Sequence, residues 1–381
     1  MGEEAQEQEV QITDWDKKET SSPQPSTIIS PSNTSKLRQF EWRILITLFI
    51  LFILLGQAAA VLLGRLYYNN GGKSKWMATL VQVVGFPVLL PLYKLVPKKE
   101  TVDDTPPTPT PTTHTSVFKV ASFYIFIGLF VAAMCMLYSI GLQYMPVSTF
   151  SLICSSQLGF NALFAFFINS QKFTPYIINS VVLLTISSTL LCFHSDSSLP
   201  KGVSKKQYAI GFVCTIVCSA GYGLYFSLTQ FAFQKLLKKT NFKATVDMII
   251  YPLFVASVAT VVGLLVSGEW KTVKTEMHKY ELGKISYVMT LLWTAMSWQV
   301  YTIGVVGLIN KVSSLFSNVV ATLGLPIVPV LAVIFFHDSM DGVKVVAMVL
   351  ALWGFVSYGY QQYLDHKLVT DNRFPTFDSE A

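Results

Sequence analysis

The chain has 381 residues, of which 52% are hydrophobic and only 13% charged, with a mean hydropathy of +0.48 and a formal net charge of +6. Soluble domains carry about 25% charged residues, so a water-soluble protein of this size is excluded. The positive charge is scattered lysine next to apolar segments rather than one basic patch, so no nucleic-acid partner is expected.

Residues 1–40 are polar and rich in Ser, Thr and Pro, and read as a disordered cytoplasmic tail. No Asp, Glu, Lys or Arg occurs over 44–64, 76–93, 120–171, 173–193, 207–234, 248–268, 285–310, 312–336 or 345–364. Each window reaches the ~18–20 residues that a helix needs to cross ~30 Å of hydrocarbon. The stretch 120–171 is long enough for two crossings, broken near Gln143-Tyr144-Met145-Pro146. A soluble helical solenoid would need charged outer faces, which these windows lack.

The predicted fold is therefore an all-α integral membrane protein with ten transmembrane helices. A first five-helix unit, 41–200, holds spans at 43–64, 76–96, 118–141, 146–168 and 174–193. A Pro/Thr loop at 97–116, with Pro106-Pro107-Thr108-Pro109-Thr110-Pro111 at its centre, separates the second and third of these. The second unit, 201–365, holds spans at 208–236, 246–267, 285–308, 312–336 and 343–364, ahead of a short tail at 366–381.

One segment occurs twice. Tyr138-Ser139-Ile140-Gly141 and Tyr301-Thr302-Ile303-Gly304 each precede a short polar break and a Ser-rich apolar helix. An odd-numbered helical unit that is duplicated must lie in the bilayer in two opposite orientations. The expectation is two inverted five-helix repeats, the arrangement from which many secondary transporters build alternating access. The Lys and Arg bias of the connecting segments places both termini in the cytoplasm.

Catalytic chemistry is not expected. The five histidines, His114, His194, His278, His337 and His366, fall in loops or at span ends. No paired carboxylates, metal-ligand spacing or phosphate loop appears, so the chain reads as no enzyme, with no metal and no cofactor. The five cysteines all lie in apolar stretches and read as small buried hydrophobes.

The expected membrane interior holds neutral amides and aromatics instead. Gln57, Gln82, Gln157, Asn161, Gln299 and Asn318 are candidates for hydrogen bonds to a substrate edge, and Tyr251, Trp298 and Tyr301 for stacking on its face. An unpaired amide in hydrocarbon costs several kcal/mol, so each must face the bundle or water. Any single one reads equally well as helix–helix glue. The titratable groups near spans are Glu41, Asp247 and His337, the candidates for proton coupling, and Asp247 also reads as a helix N-cap. With no fixed cation at depth, the cavity suits a neutral, flat, hydrogen-bonding solute.

Gly56-Gln57-Ala58-Ala59-Ala60-Val61-Leu62-Leu63-Gly64-Arg65-Leu66-Tyr67-Tyr68, and Trp76 through Gln82 to Gly85-Phe86-Pro87, resemble the plant purine permease family. So do Ser314-Leu315-Phe316-Ser317-Asn318, Leu323-Gly324-Leu325-Pro326 and Phe335-Phe336-His337-Asp338-Ser339-Met340-Asp341-Gly342. The resemblance spans about residues 40–365. It implies the drug/metabolite transporter superfamily, with ten spans in two inverted repeats. It further implies carriage of adenine, cytokinins and other purine derivatives with proton coupling, in the plasma membrane. The expected partners are thus a small purine-type substrate, protons and membrane lipid. A transporter of the same fold for an alkaloid, vitamin or amino acid, and a membrane receptor or scaffold without transport, stay open as alternatives.

Overall fold

The computed structural model describes residues 33–95, 117–170, 174–193, 203–238, 241–325, 327–337 and 340–373. The Pro/Thr loop and most of both expected tails lie outside them. The chain divides into two compact units at Ile44, the first of which contributes only the opening turns of the first helix.

Every regular element among the described residues is helical. In chain order these are α1 (Asn33–Asn69), α2 (Lys75–Val83), α3 (Val117–Tyr144), α4 (Val147–Cys154), α5 (Gln157–Asn169), α6 (Pro175–Phe193) and α7 (Lys205–Phe231). They continue with α8 (Phe242–Val266), α9 (Trp270–Lys279), α10 (Gly283–Lys311), α11 (Ser314–Gly324), α12 (Ile327–Phe336) and α13 (Gly342–Arg373). Nine segments among the described residues are long and apolar enough to cross a membrane. The expected fifth span forms α6, which is not among those nine. Helices are the form in which a lipid-embedded chain satisfies its own backbone. Large apolar side chains such as Leu55, Phe167, Val262, Ile285 and Trp353 stand exposed on the helix surfaces, the outer face of an integral membrane protein.

Three expected spans are not single helices. The segment after α2 continues as a 3-10 helix over Phe86–Leu95, with Pro91 inside it. Proline supplies no N–H to an α-helical ladder. α4 and α5 are two pieces of one span, parted at Ser155-Ser156, whose hydroxyls donate back to Leu152 O (2.6 Å) and Ile153 O (2.7 Å). Serine hydroxyls that bond their own turn compete with helix continuation. α11 and α12 are parted at Leu325, where the next residue in the sequence is Pro326, which supplies no N–H to a helical ladder.

Helix starts are set by side-chain caps. Ser74 opens α2, Ser204 forms a capping box with Gln207 at α7, and Ser313 opens α11. The cap of α8 is Asn241, which accepts from Ala244 N at 3.1 Å. Asp247 therefore does not cap that helix. It lies inside the helix and accepts from Tyr93 OH at 2.7 Å.

The doubled segment marks two close helix contacts. A Cβ on Gly141 would stand 2.3 Å from Thr215 Oγ1 on α7. A Cβ on Gly304 would stand 2.7 Å from Phe49 O on α1. Small residues at such crossings let membrane helices pack backbone to backbone. Arg65, expected at a span end, is buried and donates through Nη1 to Leu142 O and Met145 O, both at 3.1 Å. It neutralises the carbonyl end of α3.

Candidate functional site

Two small adjoining cavities, the second the larger, lie between α1, α2, α3, α7, α8 and α10. Gln82 and Trp298 line both. No Asp, Glu, Lys or Arg lines either one.

Gln82 stands at the last turn of α2, where the α-helix gives way to the 3-10 segment. Its Nε2 donates to Ser139 Oγ (2.9 Å), Cys135 O (3.2 Å) and Ala78 O (3.2 Å). Its Oε1 is buried and has no partner. The amide is thus anchored by its donor end, and a bare acceptor is left at the junction of the cavities. A buried acceptor without a partner costs about 1–3 kcal/mol, which a substrate N–H would recover. Thr79 Oγ1, which donates to Lys75 O at 2.7 Å, stands 3.1 Å from the same Ser139 hydroxyl.

Trp298 sits halfway along α10. Tyr138 and Tyr301 meet its ring edge-to-face, with centroids at 5.3 and 5.5 Å and planes at 86° and 88°. Phe150 buttresses Tyr138 at 4.8 Å. Tyr222, Tyr225 and Phe226 of α7 complete the aromatic wall of the larger cavity. Edge-to-face pairs are worth about 0.5–1.5 kcal/mol beyond their buried area and hold rings in fixed planes. A flat solute thereby meets preset surfaces. Tyr138 OH is buried without a partner and adds a second polar atom to the smaller cavity.

Of the residues expected at the site, Gln82, Trp298 and Tyr301 line the cavities; the other amides and Tyr251 do not. Gln157 Nε2 donates to Asn318 Oδ1, and Asn161 Oδ1 accepts from Ser227 Oγ at 2.9 Å, so these three amides tie helices together. Gln299 is buried against Gly85, with a long 3.5 Å contact from Nε2 to Gln82 O. Gln57 is buried beside Gly324. Tyr251 is half exposed and stacks outward on Tyr124, with centroids 5.4 Å apart. Glu41 and His337 are exposed.

Sequence reasoning missed Tyr138, Ser139, Cys135, Tyr222, Tyr225 and Thr302. The doubled segment carried a usable signal. Tyr138 and Ser139 line the smaller cavity, and their counterparts Tyr301 and Thr302 line the larger one.

Membrane-crossing helices around a charge-free, aromatic cavity with one oriented amide have the makings of a carrier-type membrane protein. Comparison with known proteins agrees. A family model described as purine nucleobase transmembrane transport matches residues 44–368. Purine permease 21 of Arabidopsis thaliana is 55% identical over 354 residues, covering 93% of this chain and 88% of that protein. Probable purine permease 10 is 55% identical over 344 residues (90% and 86% covered), and probable purine permease 6 is 52% identical over 354 (92% and 91%), both from the same plant. The chain belongs to the purine nucleobase transmembrane transport family, and is a transporter rather than an enzyme.

Proposed function

We propose that the chain carries adenine, cytokinins and related neutral purine derivatives through these cavities by alternating access, coupled to protons. The observation that carries the reading is the unpartnered Gln82 Oε1 at the junction of the two cavities, beside the Trp298 ring. A purine offers N–H groups to that oxygen and a π-face to the aromatic wall. The absence of charge among the lining residues disfavours phosphorylated substrates, whose desolvated anion would need a cation.

In this reading α6 is the tenth span. Its 19 residues reach about 28 Å at 1.5 Å per residue, close to the hydrocarbon thickness. The halves are inverted repeats. Support comes from the interrupted spans α4/α5 and α11/α12, each of which follows one copy of the doubled segment. Interrupted spans at corresponding positions mark the moving parts of many carriers. The termini lie in the cytoplasm, in keeping with the lysine and arginine bias, and the membrane is the plasma membrane, as the family resemblance implies.

Uptake of radiolabelled adenine into cells expressing the chain tests this, with a pH gradient imposed and then collapsed. Saturable uptake, competed by cytokinins and enhanced by the gradient, is expected. No saturable uptake of any purine would overturn the transport reading, and indifference to the gradient would overturn only the coupling.

A further inference from the structure

Helix α9 lies between the membrane-crossing segments of α8 and α10, and its Glu276 is turned inward rather than toward water, with 7% of its surface exposed. Its carboxylate accepts from Tyr67 OH, from Tyr287 OH at 3.2 Å and from Ser74 N at 3.2 Å. Two turns upstream, at the N-cap of α9, Glu269 Oε2 accepts from Ser74 Oγ (2.6 Å) and Trp76 N (3.1 Å). The two acids thus clamp α9 onto the 70–74 link between α1 and α2.

No cation offsets Glu276. Among the described residues no Lys, Arg or His pairs with it. The groups that face it are phenols and another acid: Tyr67 and Tyr68 from α1, Tyr280 ahead of α10, Tyr287 within α10, and Glu269. Lys75 is engaged elsewhere, by the Tyr144 hydroxyl at 2.6 Å and over its ring. Lys73 turns outward and is exposed, as are His278 and Lys279 on α9 itself. Burial holds the Tyr280 phenol above the ordinary tyrosine range, so it stays a neutral donor. A buried carboxylate held only by neutral donors is an unusual choice for stability, since a buried charge is normally paired.

The carboxylate stands one hydrogen bond away from the cavities, which it does not itself line. Tyr67, which donates to Glu276, lines the smaller cavity, and that cavity shares Gln82 and Trp298 with the larger one. We propose that Glu276 is the proton-binding site of the transport cycle, and that its charge state sets the strength of the clamp closing this end of the cavities. The inference rests on the proton-coupled reading above. Charge-assisted hydrogen bonds are about twice as strong as neutral ones. When a solution proton converts the carboxylate to the neutral acid, the bonds from Tyr67, Tyr287 and Ser74 weaken together and α9 loosens from the 70–74 link. Loss of the proton restores the ion and closes the clamp.

Purified full-length protein in vesicles, with an imposed pH gradient and radiolabelled adenine, tests the assignment. With one proton per substrate, a gradient of one pH unit sustains up to about tenfold accumulation. Glu276→Gln, which keeps an acceptor for Tyr67, is expected to reduce accumulation to about onefold while exchange of adenine across the membrane persists. Tyr67→Phe leaves the carboxylate in place and is expected to move the pH of half-maximal uptake. Full accumulation by Glu276→Gln, or an unmoved pH profile in Tyr67→Phe, overturns the assignment. If the unaltered protein itself ignores the gradient, the proton-coupled reading falls, and the assignment falls with it.

Discussion

Gln157 Nε2 donates to Asn318 Oδ1 at 2.7 Å, and Asn318 Nδ2 faces back to Gln157 O at 3.4 Å. The pair joins α5 to α11, the helical pieces of the two interrupted spans that carry these amides. Both amides are buried, and neither lines a cavity. Each takes up part of the other's hydrogen-bonding capacity, and the pair ties the two spans together.

The pair is therefore expected to contribute to stability. Interhelical hydrogen bonds in membranes average about 0.6 kcal/mol and reach about 1.7. A double-mutant cycle of Gln157→Leu and Asn318→Leu, followed by unfolding in mixed detergent micelles, should give a coupling energy in that range. A coupling near zero would show that the amides act independently.

Gln82 behaves differently because only its donor end is used. Gln82→Leu removes the free acceptor and also the bonds that hold Ser139. The loss of one satisfied hydrogen bond, with a buried partner left unpaired, is worth about 1–3 kcal/mol. The expected outcome is a rise of about five- to 150-fold in KM for adenine uptake, since about 1.4 kcal/mol is a factor of ten. Unchanged KM would place the substrate elsewhere.

Much of the architecture was legible because lipid imposes a coarse rule: a charge-free run of sufficient length must be a helix. Depth along a span was legible for the same reason, which is how Gln82, Trp298 and Tyr301 came to be singled out. Direction around a helix was not. A membrane helix is apolar toward lipid and toward its neighbours, so no amphipathic stripe shows which way Gln157 or Tyr251 points. Glu276 was invisible for the opposite reason. It sits in a short polar segment between spans, where a carboxylate reads as solvated, and only tertiary packing brings Tyr67 and Tyr287 onto it. The breaks at Ser155-Ser156 and after Val83 depended on local hydroxyl and proline chemistry that apolar length does not report.

The close approach of α1 and α10 should be intolerant of bulk. A Cβ on Gly304 would meet Phe49 O at 2.7 Å and Ile53 N at 3.0 Å, both backbone atoms that cannot step aside. Gly304→Val is expected to cost about 1–3 kcal/mol through overpacking, seen as a lower unfolding midpoint and reduced yield. Gly359→Ala on α13 is the control. Nothing lies within 4 Å of its Cβ position, so the substitution should be neutral or slightly stabilising.

Asp247 and Glu276 offer a direct contrast in proton handling. Asp247 lies near the start of α8, which runs on for about 29 Å beyond it to Val266, and Glu276 follows that far end in the chain. Asp247 is half buried, lines neither cavity and meets the single hydroxyl of Tyr93. Asparagine at 247 retains an acceptor for that hydroxyl, so Asp247→Asn should accumulate adenine under a pH gradient to within about twofold of the unaltered protein. Loss of accumulation in Asp247→Asn, with Glu276→Gln still coupled, would move the proton site to the opposite end of α8.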